Sequence, residues 1–167
     1  VSGTGYSREG QLTKSSQPAL HSEALQRLVE CGVYCNSASL TPDGITGDPT
    51  EGALLVLSEK AGVSVEALRR KGTLVEEVPF SSERKMMSVV REHAGRQVVY
   101  CKGAPEILLD RCDRVMRADR ETALDEDGRL RVRAQVESFA KSGLRVLALA
   151  YQDDFSPTQP MEDGLVF

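Results

Sequence analysis

A chain of 167 residues is long enough for one ordinary domain with a buried core, and its 40% hydrophobic and 28% charged residues exclude a disordered or fibrous protein. A net charge of −4 gives a global field that repels nucleic acid and anionic lipid, so an anionic ligand must be held by local basic groups. No apolar run reaches the roughly 18 residues a membrane span needs, and the N-terminus lacks the charged-then-apolar pattern of a signal segment, which reads as a soluble, cytosolic piece.

Val1 to Leu12 alternates small and polar residues around Gly3, Gly5 and Gly10, predicting an extended opening segment with a turn, and Thr13 to Pro18 reads as a polar linker. Apolar positions at Ala24, Leu28, Cys31 and Cys35, widened by Leu25, Val29 and Gly32, predict an amphipathic helix from about Ala19 to Asn36. Thr41-Pro42-Asp43-Gly44 is a turn signal. Asp48-Pro49-Thr50-Glu51 then supplies an N-cap, a proline at the first helical position and a glutamate three residues beyond the cap, so a second helix starts there. Its spacing predicts burial of Ala53, Leu54, Leu57 and Ala61 and an end near Gly62, with a short third helix over Val65 to Arg70.

The periodicity then changes. Thr73 to Phe80, Met86 to Arg91 and Gln97 to Cys101 are rich in β-branched residues, and the last two form a hairpin through Gly95. Pro105 to Cys112 predicts a short helix, and Arg129 to Ser142 a longer one with Val132, Val136 and Phe139 inward and Gly143 ending it. Arg145 to Tyr151, apolar on both faces, suits a central strand. Asp153 to Gly164 is polar and proline-bearing, and Leu165-Val166-Phe167 reads as the stub of a cut chain. The order of elements fits one α+β domain over 1–167, with helices flanking a mainly antiparallel, twisted β-sheet.

Several chemistries fall away on spacing. Cys31, Cys35, Cys101 and Cys112 form no CxxC pair and have only His21 and His93 as histidine company, so they read as buried core thiols rather than a zinc site. Gly3-Thr4-Gly5 lacks the third glycine of a dinucleotide loop, and no GxxxxGK[ST] loop exists. Asp125-Glu126-Asp127-Gly128 hints at a calcium loop, but Ala123 and Ala134 occupy positions that need acidic ligands, leaving a solvated turn.

Other residues carry two readings each. Lys102-Gly103-Ala104-Pro105-Glu106 is a strand end and a helix start, or a site where Gly103 lets a ligand approach and Lys102 attracts an aromatic face or a phosphate. Glu51 is half of a capping box, or a carboxylate accepting from an exocyclic amine. Phe80, one of four phenylalanines, is core, or a platform for a purine with Lys85 near its phosphates.

Taken in order, Gly47-Asp48-Pro49-Thr50-Glu51, Phe80-Ser81-Ser82-Glu83-Arg84-Lys85, Lys102-Gly103-Ala104-Pro105-Glu106 and Gly143-Leu144-Arg145-Val146-Leu147-Ala148 together resemble the nucleotide-binding domain of P-type ATPases, notably the calcium-pump-like branch. The resemblance covers the whole chain, because Thr4-Gly5-Tyr6 and Gly164-Leu165-Val166-Phe167 look like the segments joining that domain to the phosphorylation domain; it makes 1–10 and 163–167 hinge-proximal. It implies that ATP is bound with Phe80 stacked on adenine, Lys102 lining the pocket, Glu51 near the adenine amine, Lys85 and Arg145 facing the phosphates, and Thr50, Gly103 and Leu147 shaping the wall. Ser82 departs from the pattern, standing where some relatives have a phosphate-holding arginine.

The family's Asp-Lys-Thr-Gly-Thr motif is absent, and so are its magnesium-binding aspartates. The resemblance therefore implies a piece that binds ATP without cleaving it, with no catalytic residue or metal site of its own. In the intact pump Mg2+ accompanies ATP, the phosphorylation and actuator domains are the partners, and this piece is a cytoplasmic domain of an integral membrane protein. The alternative, which Ser82 motivates, is a regulatory or protein-interaction domain of the same fold with weak or no nucleotide binding. A free-standing phosphotransferase is disfavoured by the missing aspartate and P-loop.

Overall fold

A computed structural model describes residues 1–14, 17–18 and 22–167, and its contacts gather into two units, Val1–Lys71 and Gly72–Phe167. In the first, the opening residues curl back instead of running extended. The Ser2 amide donates to the Gln11 carbonyl at 2.9 Å, and Lys60 Nζ donates to the Ser2 carbonyl at 2.9 Å. Gly3 and Gly10 make this possible: their φ angles are +85° and +139°, and a Cβ on either would lie 2.3 or 2.4 Å from a backbone oxygen. Thr13–Lys14 (β1) and Gln17–Pro18 (β2) pair antiparallel where a linker is expected.

The predicted helix start at Ala19 lies outside the described residues. As described, α1 spans Glu23–Tyr34, opened by Ser22, whose hydroxyl accepts from the Leu25 amide at 3.1 Å. Val29, Cys31, Gly32 and the C-cap Cys35 are buried as the spacing predicts, while Leu28 is 38% exposed and Val33 joins the buried face instead. At Gly32 the missing side chain lets Leu54 come within 3.4 Å of an ideal Cβ position. Ser39–Thr41 (β3) and Gly44–Thr46 (β4) pair about the Pro42-Asp43 turn.

Asp48 caps α2, Pro49–Lys60, as its sequence requires, its Oδ1 accepting from the Thr50 and Glu51 amides at 2.8 and 3.2 Å. The buried residues are Gly52, Leu55, Val56 and Ser58; Ala53 is exposed and Leu54, Leu57 and Ala61 are half-buried. Residues 53–57 are all apolar, so spacing alone does not orient this helix. Gly52 does, because Ile45 occupies the space its side chain would take, 2.3 Å from an ideal Cβ. A short α3, Val65–Arg69, follows with Ser64 as its cap. The unit's core comprises Val29, Val33, Ala38, Leu55, Val65 and Leu68.

The second unit is built on seven strands: Thr73–Ser81 (β5), Met86–His93 (β6), Arg96–Gly103 (β7), Cys112–Arg117 (β8), Arg120–Ala123 (β9), Ala148–Gln152 (β10) and Leu165–Val166 (β11). They lie in the order β5-β6-β7-β10-β11-β8-β9, antiparallel except for the parallel β11–β8 pair. With the helices Pro105–Asp110 (α4) and Glu126–Lys141 (α5), this is the α+β, mainly antiparallel arrangement expected. Its core includes Met86, Val90, Val99, Cys101, Leu108, Cys112 and Leu165. All four cysteines are buried, as read from the sequence.

Four expectations change here. Cys112 opens a strand rather than closing a helix, and the β8–β9 hairpin is new, since its alternation rests on little beyond Cys112 and Val115 among charged residues. Asp125 is the N-cap of α5, accepting from the Gly128 amide at 2.8 Å, so the acidic run opens a helix instead of a solvated turn. Phe139 is 41% exposed rather than inward. It sits in the helix-ending motif in which Leu144 N–H reaches the Phe139 carbonyl at 3.0 Å and Gly143, at φ +74°, bonds back to Ala140. β10 starts at Ala148, three residues after Arg145, because residues 144–147 lead out of that motif.

Candidate functional site

Strand register assembles most of the candidate residues. Met86 at the start of β6 opposes Gly103 at the end of β7, and Gly103 opposes Ala148 at the start of β10. One end of three neighbouring strands therefore collects the turn holding Ser82 and Lys85, the Lys102-Gly103 strand exit, and the approach to β10 holding Arg145 and Leu147.

Phe80 reaches this end on a bulged strand. Val78 opposes Ser88 and Ser81 opposes Met86, so three steps along β5 face two along β6, and the irregularity falls at Pro79-Phe80. Pro79, without an N–H, is tolerated because β5 is the sheet edge. Phe80 is 58% exposed, which removes its reading as a core residue.

The turn itself is tightly bonded. The Lys85 amide donates to the Ser81 carbonyl at 2.7 Å and the Arg84 amide to Ser81 Oγ at 3.2 Å. Lys85 has φ +55°, a left-handed conformation that costs a side-chain-bearing residue about 1 kcal/mol or more. Its carbonyl accepts from the Ala104 amide at 2.9 Å, and its ammonium lies 3.7 Å from Glu106 in an exposed, weak pair. At Gly103 a Cβ would come within 2.6 Å of the Lys85 carbonyl oxygen and 2.7 Å of Met86 Cβ, so the close approach this glycine allows is that of the chain's own backbone.

Lys102 is buried, 5% exposed, on the central strand β7, with Met87 and Leu149 beside it in register. Arg145 is exposed, Leu147 half-buried and Ser82 exposed. Thr50 and Glu51 belong to the other unit, in the first turn of α2. The Glu51 carboxylate accepts from the Ser37 and Ala38 amides at 2.8 and 3.1 Å, a loop-holding role that neither of its two sequence readings contains.

Arg84, Ser88 and Glu162 escaped the sequence reading as participants. Beneath the turn, Arg84 is ion-paired with Glu162, Ser88 Oγ donates to the same Glu162 oxygen at 2.6 Å, and Cys101 Sγ donates to Ser88 at 3.4 Å. Arg84 lay inside a quoted motif without a role; Glu162 lies in a polar loop with no periodicity to mark it. Burial pushes the Cys101 thiol up to about 12, against the pull of its Ser88 hydrogen bond, and burial also pushes Cys112 up to about 12. Neither is a nucleophile at neutral pH. Arg111 is raised by its hydrogen bond to Asp163 at 2.8 Å.

Among the described residues no three His, Cys, Asp or Glu side chains are grouped to hold a metal, and no helix is long and apolar enough to cross a membrane. What the arrangement offers is an exposed aromatic ring, an exposed ammonium and an exposed guanidinium around one sheet end, a set suited to a flat, anionic ligand.

The family profile for P-type ATPase, cytoplasmic domain N, matches residues 24–167. The chain is 37% identical over 126 residues to calcium-transporting ATPase 1 of Lactococcus lactis, covering 75% of this chain and 14% of that protein. It is 33% identical over 159 residues to the calcium-transporting ATPase of Bacillus subtilis, covering 91% and 18%. It is 39% identical over 155 residues to the probable cation-transporting ATPase F of Mycobacterium tuberculosis, covering 89% and 17%. The chain thus spans less than a fifth of the length of these relatives.

Proposed function

The chain belongs to the P-type ATPase cytoplasmic domain N family, and from that premise we propose that it binds ATP, with adenine on Phe80 and the phosphates toward Lys85 and Arg145. The observation that supports this most is the register Met86–Gly103–Ala148, which gathers three of the four motifs at one sheet end. Lys102, being buried, serves as wall rather than rim, with Gly103 and Leu147 beside it.

The whole protein's activity follows as a proposal from the relatives. In the whole protein, by this proposal, the domain carries the γ-phosphate to an aspartate on the phosphorylation domain and hydrolysis drives cation transport, with calcium favoured by the names of two relatives. This chain holds and orients the nucleotide; the acceptor motif is not in its sequence. Mg2+ neutralises the transferring phosphate in such enzymes, and we assign its protein ligands to residues outside this chain. With Ser82 in an arginine's position, the phosphates rest on fewer charges and affinity is low.

Isothermal titration with ATP tests the site. We expect Phe80→Ala to weaken binding by about 1–3 kcal/mol, the range for loss of base–aromatic stacking, and Lys85→Ala to weaken ATP more than adenosine. Lys102→Met probes the wall. Equal ATP affinity in wild type, Phe80→Ala and Lys102→Met would overturn the assignment, and no amide shift at millimolar ATP would favour a regulatory module instead.

A further inference from the structure

The segment between β10 and β11 is polar, yet it is tied down at two adjacent residues. Asp163 receives Arg111 at 2.8 Å. Glu162 receives both Arg84 and Ser88, whose hydroxyl lies 2.6 Å from its Oε1. Val78, Arg84, Arg111, Pro160, Met161 and Glu162 line a shallow groove of about 320 Å³ along this tie.

Arg84 is the informative partner. It sits between Ser82 and Lys85 in the turn, its amide bonds back to Ser81 Oγ, and its guanidinium also reaches the Pro79 carbonyl at 3.4 Å inside the β5 bulge. One residue therefore joins the turn that presents Lys85, through its amide, to the bulge that presents Phe80, through its guanidinium. Its counter-charge comes from 78 residues away in sequence. The pair is only 30% and 18% exposed, and Ser88 is fully buried, so the link is screened less than a surface ion pair and has fixed geometry.

We propose that Glu162 is a positioning residue for the nucleotide: through Arg84 and Ser88 it fixes the bulge and turn that hold Phe80 and Lys85 in binding geometry. The proposal rests on the ATP reading for its consequence, but the clamp itself is a property of the nucleotide-free chain. Glu162 touches no ligand in this scheme; it sets the conformation of residues that do. Removing either charge leaves the other half-buried without its partner, and the strained Lys85 turn is where that conflict relaxes.

The experiment uses Glu162→Gln, which keeps an acceptor for Ser88 but removes the charge facing Arg84, together with Arg84→Met and the double variant. In the nucleotide-free chain, amide NMR signals of residues 79–85 shift in each single variant, while those of Ser37 and Ala38, held by Glu51, do not. Each single variant weakens ATP roughly tenfold, within the range for coupled neighbours, and the double variant is no weaker than the worse single one. Thermal melting separates positioning from support, because Glu162→Gln loses affinity out of proportion to stability. Unmoved 79–85 signals, or affinity losses that simply add, would overturn the clamp. If wild type itself fails to bind ATP, the proposed function falls, and the nucleotide-free signals alone decide the clamp.

Discussion

Gly103 shows how one residue answers two questions at once. The sequence offers it as a place where a ligand nears the backbone; the structure fills that place with Lys85 and Met86. Gly103→Ala therefore overpacks a contact with main chain, which cannot swing aside, and we expect a loss of about 1–3 kcal/mol in urea unfolding, with the Lys85 turn displaced. Unchanged stability would mean the β6 and β7 ends separate more easily than the geometry implies. Phe80 was legible as either core or platform, and its exposure removes the core reading; an aromatic ring in an edge strand carries no sequence mark of which way a bulge aims it. The place of Glu51 in the first turn of α2 was legible from its spacing from Asp48. Its hold on the Ser37 and Ala38 amides was not, since a bond to a loop 13 and 14 residues back leaves no periodic trace.

The starts of α2, α3 and α4 were readable from local chemistry, whereas the Asp125 cap of α5 reads as a turn in the sequence. Asp48 does what its position before Pro49 requires, and Asp48→Ala should cost about 1 kcal/mol while Asp48→Asn keeps most of the stability. Denaturant melts of the two variants check this, and equal losses in both would show that charge at the dipole, not the hydrogen bond, is the source. Buried faces were less readable. In α2 the apolar run 53–57 covers every side of the helix, and orientation comes from Gly52 against Ile45. The β8–β9 hairpin went unread for the opposite reason: its strands carry too few apolar residues to alternate visibly, and their pairing is fixed by neighbours far along the chain.

At the level of the whole molecule, buried thiols couple folding to alkaline pH. Cys101 and Cys112 rise from an ordinary 9.0 to about 12. Between those values the unfolded chain loses protons that the folded chain keeps, so the stabilisation is complete below pH 9 and declines as pH rises toward 12. Urea midpoints from pH 8 to 10.5 should fall more steeply in wild type than in Cys101→Ala/Cys112→Ala, and parallel slopes would exclude the thiols as the source. The α+β class was legible because the change from helical to alternating spacing is a bulk property; the order of the sheet was not, since nothing local says that the last strand belongs in the middle. That placement has a consequence for synthesis. β8 and β10 do not pair with each other, and the slot between them is filled by Leu165–Val166, which follows every other strand in chain order. As the chain is made, six strands emerge while the sheet remains in two parts, and β11 joins them last, from the inside, through non-local contacts of the kind that slow folding.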